Sequence, residues 1–329
     1  MIVIGHFDAH GVATASAIAR ATKSTVIARY PDTGPRKLAD FIEENFGTLA
    51  SEDKVVIVDI PVDVISPERF IDVINRLAEK TEVVVYDHHG TSKQYAEAIK
   101  ATVKLFPDAL TMAEEIAKDF SITDKKEKKL LYIGVVADRD PAILKVFSRP
   151  YVENELMPLA NTLDILVREN TQDTADALAA RGVQYIEECT CKLEYPPLRL
   201  VKKIKASQVG NILITEFVDA ANDKELAQWL PKTIEELLKR TGADYAVVPG
   251  TYFDYKERKV GYSVRVIQYW LSQLPSVEEI KSIIGNRKYV GHEKYVSIIT
   301  QDKNETIELA NKIVNILAAQ TRRETVLTH

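Results

Sequence analysis

The chain has 329 residues, of which 46% are apolar and 28% are charged, and its formal net charge is −5. This size and composition indicate two folded domains and exclude a disordered chain. The net acidity argues against a dedicated binder of long nucleic acids, which usually carries a basic face. No apolar run reaches the roughly 20 residues that a membrane-spanning helix needs.

The first half of the chain alternates short runs of Val and Ile with helical patterns. "MIVI", "STVIARY", "KVVIVDIP" (54–61) and "EVVVYDHHG" predict strands, because they are short, β-branched and almost continuously apolar. "SPERFIDVINRLAEK" (66–80) predicts a helix, since its apolar residues recur at helical spacing and Ser66 and Pro67 suit its start. The alternation predicts an α/β domain with a mostly parallel sheet covered by helices on both faces.

In the second half, residues 150–190 carry helical patterns without a strand-like run, and strand-like runs return after them. The whole chain therefore divides into three predicted segments. We expect a metal-binding catalytic domain in residues 1–150, a helical linker in 151–194 and a smaller α/β substrate-binding domain in 195–329. Within the last segment, "RLVKKIK" (199–205) predicts an edge strand guarded by lysines. "SVEEIKSIIG" (276–285) predicts a helix. The linker would act as the hinge of a cleft that closes on substrate.

Two cysteines, Cys189 and Cys191, bear on the compartment of the protein. A single C-x-C pair rules out a disulfide framework and fits free thiols in a reducing cytoplasm. The chain begins directly in an apolar run with no basic segment before it, so we expect no signal peptide and a cytoplasmic location. Exposed sheet edges could support a homodimer.

Acidic and imidazole side chains follow the ends of several predicted elements. In chain order they are His6, Asp8, His10, Asp59, Asp87, His88, His89 and Asp138. The first three alternate along a segment that we expect to be extended, which would point them the same way. In an open parallel sheet, the loops after the strands converge on one crevice. Carboxylates and imidazoles together suit Mn²⁺, Zn²⁺ or Fe²⁺ rather than Ca²⁺.

Each of these clusters has a purely structural alternative. An Asp after a strand often caps the next helix, which applies to Asp59 and to Asp138, and adjacent histidines can be solvated. Their joint occurrence in one βα series nevertheless favours metal chemistry.

The ordered set of motifs resembles the DHH phosphoesterase superfamily over nearly the whole chain. "DHH" follows a Val-rich strand, and an H-x-D-x-[D/H]-G loop and an Asp after a second strand precede it. "GVVAD" (134–138), "YSVRV" (262–266) and "YVGHEKYVS" (289–297) resemble its later motifs. The superfamily includes RecJ-like exonucleases, oligoribonucleases, cyclic-dinucleotide phosphodiesterases and manganese pyrophosphatases.

The resemblance implies two divalent metal ions, with Mn²⁺ as the expected metal, and a role for each motif residue. The implied metal ligands are His6, Asp8, His10, Asp59, His88 and Asp138, with Asp59 bridging the two ions. Asp87 would orient an imidazole ring, and His89 would touch the scissile phosphate. Arg265, Gly291 and His292 would bind the substrate.

The chain departs from the superfamily pattern at two places. The superfamily usually has Asp where this chain has His10, and glycines where it has Tyr289 and Val290. A neutral imidazole still binds such metals, so we interpret His10 as a variant ligand. The expected function is hydrolysis of phosphodiester bonds in short oligonucleotides or single-stranded ends. The alternatives are a RecJ-like replication or repair scaffold with lost chemistry and, less favoured, a pyrophosphatase.

Overall fold

The computed structural model describes two compact units, Met1–Leu193 and Glu194–His329. The described residues are 1–29, 37–62, 67–254, 259–271, 289–292 and 295–327. The helix expected at 276–285 lies outside them. In this described part of the chain, every helix is either too short or too polar to span a bilayer.

The first unit is built on a five-stranded parallel sheet with the strand order β2-β1-β3-β4-β5. The strands are β1 (Ile2–His6), β2 (Thr25–Arg29), β3 (Lys54–Val58), β4 (Glu82–Asp87) and β5 (Thr102–Leu105). Strands β1 and β3 are buried along almost their whole length, as expected for a sheet that is covered on both faces. All five carboxyl ends therefore lie along one edge of the sheet.

Ten α-helices complete the described part of this unit. They are α1 (Ala9–Thr22), α2 (Leu38–Glu44), α3 (Phe46–Ala50), α4 (Pro67–Ala78), α5 (Ala109–Asp119), α6 (Lys125–Ala137), α7 (Arg149–Tyr151), α8 (Met157–Glu169), α9 (Thr171–Arg181) and α10 (Val183–Thr190). One face of the sheet packs against α2 and α4 around the buried side chains of Ile57, Phe70 and Ile74. Helix α1 packs on the other face and in turn contacts α6, α8 and α9. The predicted α/β fold class is thereby confirmed.

The segment expected to be a linker packs within the first unit. A π-helical turn (Val152–Leu156) joins α7 to α8. Buried residues of α8 and α9, among them Leu163 and Leu178, face α1 and α6. The first unit accordingly extends to Leu193. A hinge role for these helices stays a prediction.

The second unit contains a six-stranded mixed sheet with the strand order β10-β11-β9-β8-β7-β6. The strands are β6 (Ala206–Val209), β7 (Ile212–Thr215), β8 (Tyr245–Asp254), β9 (Lys259–Gln268), β10 (Tyr289–His292) and β11 (Tyr295–Thr300), and the helices are α11 (Pro197–Leu200), α12 (Lys224–Thr241) and α13 (Lys303–Leu327). Only β7 and β8 pair in parallel among these described strands. Helix α13 covers one face, where Ile313 packs on Val264 and Val266.

The edge strand predicted at 199–205 is wrong. Helix α11 and a 3₁₀ turn (Val201–Lys203) occupy most of this segment. Pro197, Leu200, Val201 and Ile204 are buried, which is helical spacing rather than strict alternation.

Candidate metal centre

The first three candidate ligands are brought together by the tight connection between β1 and α1. His6 ends the strand, Asp8 caps the helix by accepting a hydrogen bond from Gly11 N at 2.8 Å, and His10 lies in the first turn. The extended segment expected here is therefore wrong, because α1 begins at Ala9. Glycine is required at position 11, since a Cβ there would lie 2.4 Å from His6 Cβ.

Asp59 lies at the centre of the cluster, directly after β3. The side chain is 1% exposed, and its backbone N–H donates to Tyr86 O at 2.8 Å. Its carboxylate oxygens lie 3.0 Å from His88 Nε2, 3.1 Å from His10 Nδ1, 3.8 Å from His6 Nδ1 and 3.9 Å from His89 Nδ1. The φ angle of Asp59 is 64°, in the left-handed region that few residues other than glycine, Asn and Asp adopt. The carboxylate is thus held among four imidazoles by a backbone conformation that is itself unfavourable.

Three sets of possible ligand atoms share Asp59, and the atoms of each set lie within 4.8 Å of one another. The first set is His6, Asp8 and Asp59, the second is His10, Asp59 and His88, and the third is Asp59, Asp87 and His89. Asp138, at the end of α6, adds an oxygen 3.6 Å from His88 Nε2. The side chains of Asp8 and Asp138 are 46% and 31% exposed, so the centre is open on one side and buried on the other.

The ring nitrogens of His10 show whether the surrounding residues suit a metal ion. Its ring is 1% exposed, and Nε2 is buried without a hydrogen bond to the described part of the chain. Nδ1 lies 3.1 Å from Asp59 Oδ2 but makes no well-oriented hydrogen bond to the described residues. Buried polar atoms are almost always partnered in folded proteins. His6 Nδ1 is also buried without a well-oriented hydrogen bond, although Asp8 Oδ2 lies 2.7 Å away. Nitrogen lone pairs beside buried carboxylates suit a divalent cation of the first transition row, so the donor set fits.

The charges of the cluster are strongly coupled. Burial opposes a charge on His6, but Asp8 and Asp59 raise its pKa to about 11. Burial likewise opposes a charge on His10, but Asp59 raises its pKa to about 10. The pKa values of Asp8 and Asp59 are lowered despite desolvation, chiefly by His6 and His10 respectively. Protons thus balance the carboxylates in the metal-free protein, and a cation must displace them, so metal affinity should rise with pH.

Asp87 is fully occupied by hydrogen bonds. Its Oδ1 accepts from the backbone N–H groups of His88 at 2.9 Å and His89 at 3.2 Å and from His89 Nδ1 at 2.7 Å. Its Oδ2 accepts from the hydroxyl of Ser92. Although Asp87 also lies near Asp59 and His89 in a ligand-like grouping, these bonds leave it to hold His89 rather than an ion. Burial opposes a charge on His89, but Asp87 and Asp59 raise its pKa to about 9.

The three candidate substrate ligands lie in the second unit. Arg265 lies in β9 and is 7% exposed. Its Nη2 donates to Thr251 O at 3.0 Å, and its Nη1 is buried without a hydrogen bond to any described residue. Gly291 and His292 lie in β10, together with Tyr289 and Val290.

One residue of the site, Ser92, was missed in the sequence. Ser92 lies beyond the recognised tripeptide, and only its closeness to that tripeptide could have signalled it. Gly134, the first residue of the motif "GVVAD", lies in α6, where a Cβ would be 3.1 Å from Ala13 Cβ and 3.2 Å from His10 Cδ2. It lets α6 approach α1 closely beside the His10 ring.

Comparison with known proteins gives structural similarity and no sequence match. No protein-family model and no curated protein matches the sequence. A RecJ structure from Thermus thermophilus, in complex with Mn²⁺, is 15% identical with a TM-score of 0.49, over 97% of this chain and 52% of that one. An exonuclease RecJ bound to manganese is 16% identical with a TM-score of 0.43, over 97% of this chain and 89% of that one.

A third solved structure, a putative family II inorganic pyrophosphatase from Methanococcus jannaschii, is 16% identical with a TM-score of 0.27, over 94% of this chain and 98% of that one. This chain spans about half the length of the Thermus thermophilus RecJ that it matches. All three TM-scores lie below 0.5. The activity of this chain therefore has to be inferred from its own side chains.

Proposed function

We propose that this chain is a metal-dependent phosphoesterase of the DHH type, which hydrolyses phosphodiester bonds in short oligonucleotides or single-stranded ends. One observation carries the proposal: a single buried carboxylate, Asp59, is shared by two sets of metal-type ligands. A carboxylate with two oxygens in such a position can serve two cations at once.

The first two sets define which residues would hold two divalent ions, with Mn²⁺ as the expected metal. His6 and Asp8 would hold one ion, His10 and His88 would hold the other, and Asp59 would serve both. Asp138 would complete the ligands of the second ion. When bound, two such ions would supply a water of lowered pKa as the nucleophile and would stabilise the charge on the leaving oxygen.

His89 is the imidazole best placed to meet the substrate. Its Nδ1 is held by Asp87, and its side chain is 32% exposed. Asp87 Oδ1 already accepts hydrogen bonds from two backbone N–H groups, and it acts as an acceptor toward His89 Nδ1 as well. Nδ1 therefore carries a hydrogen, and Nε2 lies at the far side of the ring. We assign Nε2 to contact with an oxygen of the scissile phosphate. Asp87 sets the orientation of the ring for this contact.

Arg265 supports an anionic substrate. A buried guanidinium is costly unless its donors are used, and Nη1 has no partner among the described residues. Phosphate oxygens match the donor geometry of arginine. We assign Arg265 to a second phosphate or a sugar of the substrate, with Gly291 and His292 of β10 in the same role. Location in the cytoplasm belongs to the same proposal.

The experiment is hydrolysis of end-labelled di- to decanucleotides, as RNA and as DNA, with added Mn²⁺. Wild type is compared with Asp59→Asn and with the control Asp108→Asn. Asp108 caps α5 through Thr111 N at 2.6 Å, and Asn caps a helix equally well, so the control removes one carboxylate of the same unit without removing a ligand.

We expect cleavage by wild type and by Asp108→Asn and none by Asp59→Asn, with the product ladder giving the preferred length. Cleavage that survives in Asp59→Asn would assign the activity elsewhere. Stoichiometric Mn²⁺ binding without cleavage of any oligonucleotide would overturn the assigned substrate. Absence of both would overturn the enzyme and favour the scaffold alternative.

A further inference from the structure

Ser92 makes a hydrogen-bonded bridge between the segments that follow β3 and β4, which carry Asp59 and the pair His88 and His89. It is 3% exposed, and its hydroxyl bonds Asp87 Oδ2. The hydroxyl oxygen of Ser92 also lies 3.0 Å from the backbone nitrogen of Val62. Val62 belongs to the loop that follows Asp59 after β3, and Ser92 lies in the 3₁₀ helix (Gly90–Ala98) that follows His89 after β4.

The direction of both hydrogen bonds follows from the chemistry of the partners. The backbone N–H of Val62 can only donate, so the Ser92 oxygen accepts from it. The single hydroxyl hydrogen of Ser92 then goes to Asp87 Oδ2. With Oδ2 fixed, the carboxylate plane is set, and Oδ1 faces the nitrogens of His88 and His89.

We propose that Ser92 is a positioning residue, which acts through Asp87 to hold the His89 ring. Its bond to Val62 also holds the segment that follows Asp59 against the segment that follows His89. Without the hydroxyl, Asp87 Oδ2 and the Val62 nitrogen both lose their partner. The carboxylate can then rotate away from His89 Nδ1. The effect of Ser92 on catalysis rests on the proposed function, whereas the effect of Ser92 on the His89 ring does not.

The test compares Ser92→Ala with Ser16→Ala in the full chain. Ser16 is a matched control, because it is also buried in the first unit and its hydroxyl donates one hydrogen bond, to Ala175 O at 3.1 Å, away from the candidate ligands. The first measurement is the ring Nδ1–H signal of His89 in ¹⁵N-histidine NMR with EDTA, assigned by its loss in His89→Gln. The second is Mn²⁺ affinity, and the third is hydrolysis of bis(4-nitrophenyl) phosphate.

We expect Ser92→Ala to lose or broaden the His89 Nδ1–H signal, because Asp87 no longer holds the ring. We also expect Mn²⁺ binding to weaken by about 10–100-fold, because the segment that follows the candidate metal ligand Asp59 loses its hydrogen bond from Val62 to Ser92. The kcat should fall by a similar factor with KM little changed. Ser92→Thr, which keeps the hydroxyl, should restore the signal and the affinity. Ser16→Ala should match wild type in all three measurements.

An unchanged His89 signal and Mn²⁺ affinity in Ser92→Ala would overturn the positioning role and leave the proposed function intact. If wild type neither binds Mn²⁺ nor hydrolyses the ester, the proposed function fails, and the NMR signal alone still decides the role of Ser92. If Ser92→Ala does not fold, Ser92→Cys takes its place, because a thiol has nearly the shape of the hydroxyl but is only a weak donor and a weak acceptor. A wild-type signal in Ser92→Cys together with wild-type affinity would overturn the role.

Discussion

Replacing Asp59 by Asn removes the central charge of the site without disturbing the backbone. The φ angle of Asp59 is 64°, and Asn tolerates this left-handed conformation as well as Asp does. The two side chains have nearly the same size. A change in stability or metal binding in Asp59→Asn therefore reports on the carboxylate charge itself.

The expected loss of stability in the metal-free protein follows from the contact with His10. Asp59 Oδ2 lies 3.1 Å from His10 Nδ1, and the pKa of His10 is raised to about 10. At pH 7, roughly three pH units below that pKa, the proton on His10 contributes about 4 kcal/mol to the free energy of unfolding. Breaking one partner out of a buried ion pair costs about 3–5 kcal/mol, which agrees. We expect Asp59→Asn to lose about 4 kcal/mol at pH 7.

This loss must depend on pH with a definite sign. The folded-state pKa of His10 is raised above its ordinary value of 6.5, so the stabilisation is complete below pH 6.5 and is lost as the pH rises through about 10. The difference between wild type and Asp59→Asn should therefore shrink between about pH 7 and about pH 10.5.

Urea denaturation in EDTA at both pH values measures the difference, with Asp108→Asn as the control variant. Saturating Mn²⁺, at about 100 times its Kd, should then stabilise wild type by about 2.7 kcal/mol at pH 7 and leave Asp59→Asn almost unchanged. A difference that is the same at both pH values would refute the charge assignment. Equal stabilisation of both proteins by Mn²⁺ would refute the shared ligand.

Three further changes test the surroundings of the site. Gly11→Ala should abolish Mn²⁺ binding, because its Cβ would lie 2.4 Å from His6 Cβ. The control Gly47→Ala should bind Mn²⁺ as wild type does, because a Cβ at position 47 meets nothing within 4 Å. Isothermal titration of Mn²⁺ into both variants measures the difference. Asp108→Ala should lower the free energy of unfolding by about 0.5–2 kcal/mol through the lost helix cap. Urea denaturation checks this, and a loss of Mn²⁺ affinity in the same variant would contradict it. Arg265→Met should raise KM for labelled oligonucleotides by about tenfold or more while kcat changes little, and an unchanged KM would remove Arg265 from the substrate site.

Much of the fold could be predicted from the sequence, because buried parallel strands are nearly continuous runs of Val and Ile. "KVVIV" and "EVVVY" correspond to β3 and β4. The failure at 199–205 has a physical cause. Lysines and apolar residues follow one another closely there, and only the burial of Leu200, Val201 and Ile204 shows the helical period. Such short segments take their conformation from what they pack against.

The grouping of the candidate ligands was predictable from topology, and their geometry was not. Parallel strands end at one edge, which places Asp59 beside His88 whatever the details of the loops. The turn after β1 was predicted as extended, yet the glycines at positions 5 and 11 fold it back onto the strand. The hydrogen bond between Val62 and Ser92 joins a loop to a 3₁₀ helix across 30 residues of sequence, and no local pattern encodes such a contact.

The structure gives physical reasons for an imidazole at position 10, where the resembled superfamily usually has a carboxylate. Room for the larger ring comes from α6, because Gly134 lies against it and a Cβ there would be 3.2 Å from His10 Cδ2. The charge would also suit the proposed pair of divalent ions, since Asp8, Asp59 and Asp138 still offer three carboxylates. A ring that bound no ion would still bury Nε2 without a partner among the described residues, at a cost of about 1–3 kcal/mol. A divalent cation held by one nitrogen of this ring beside Asp59 would take the place of the proton that otherwise neutralises the buried contact between them.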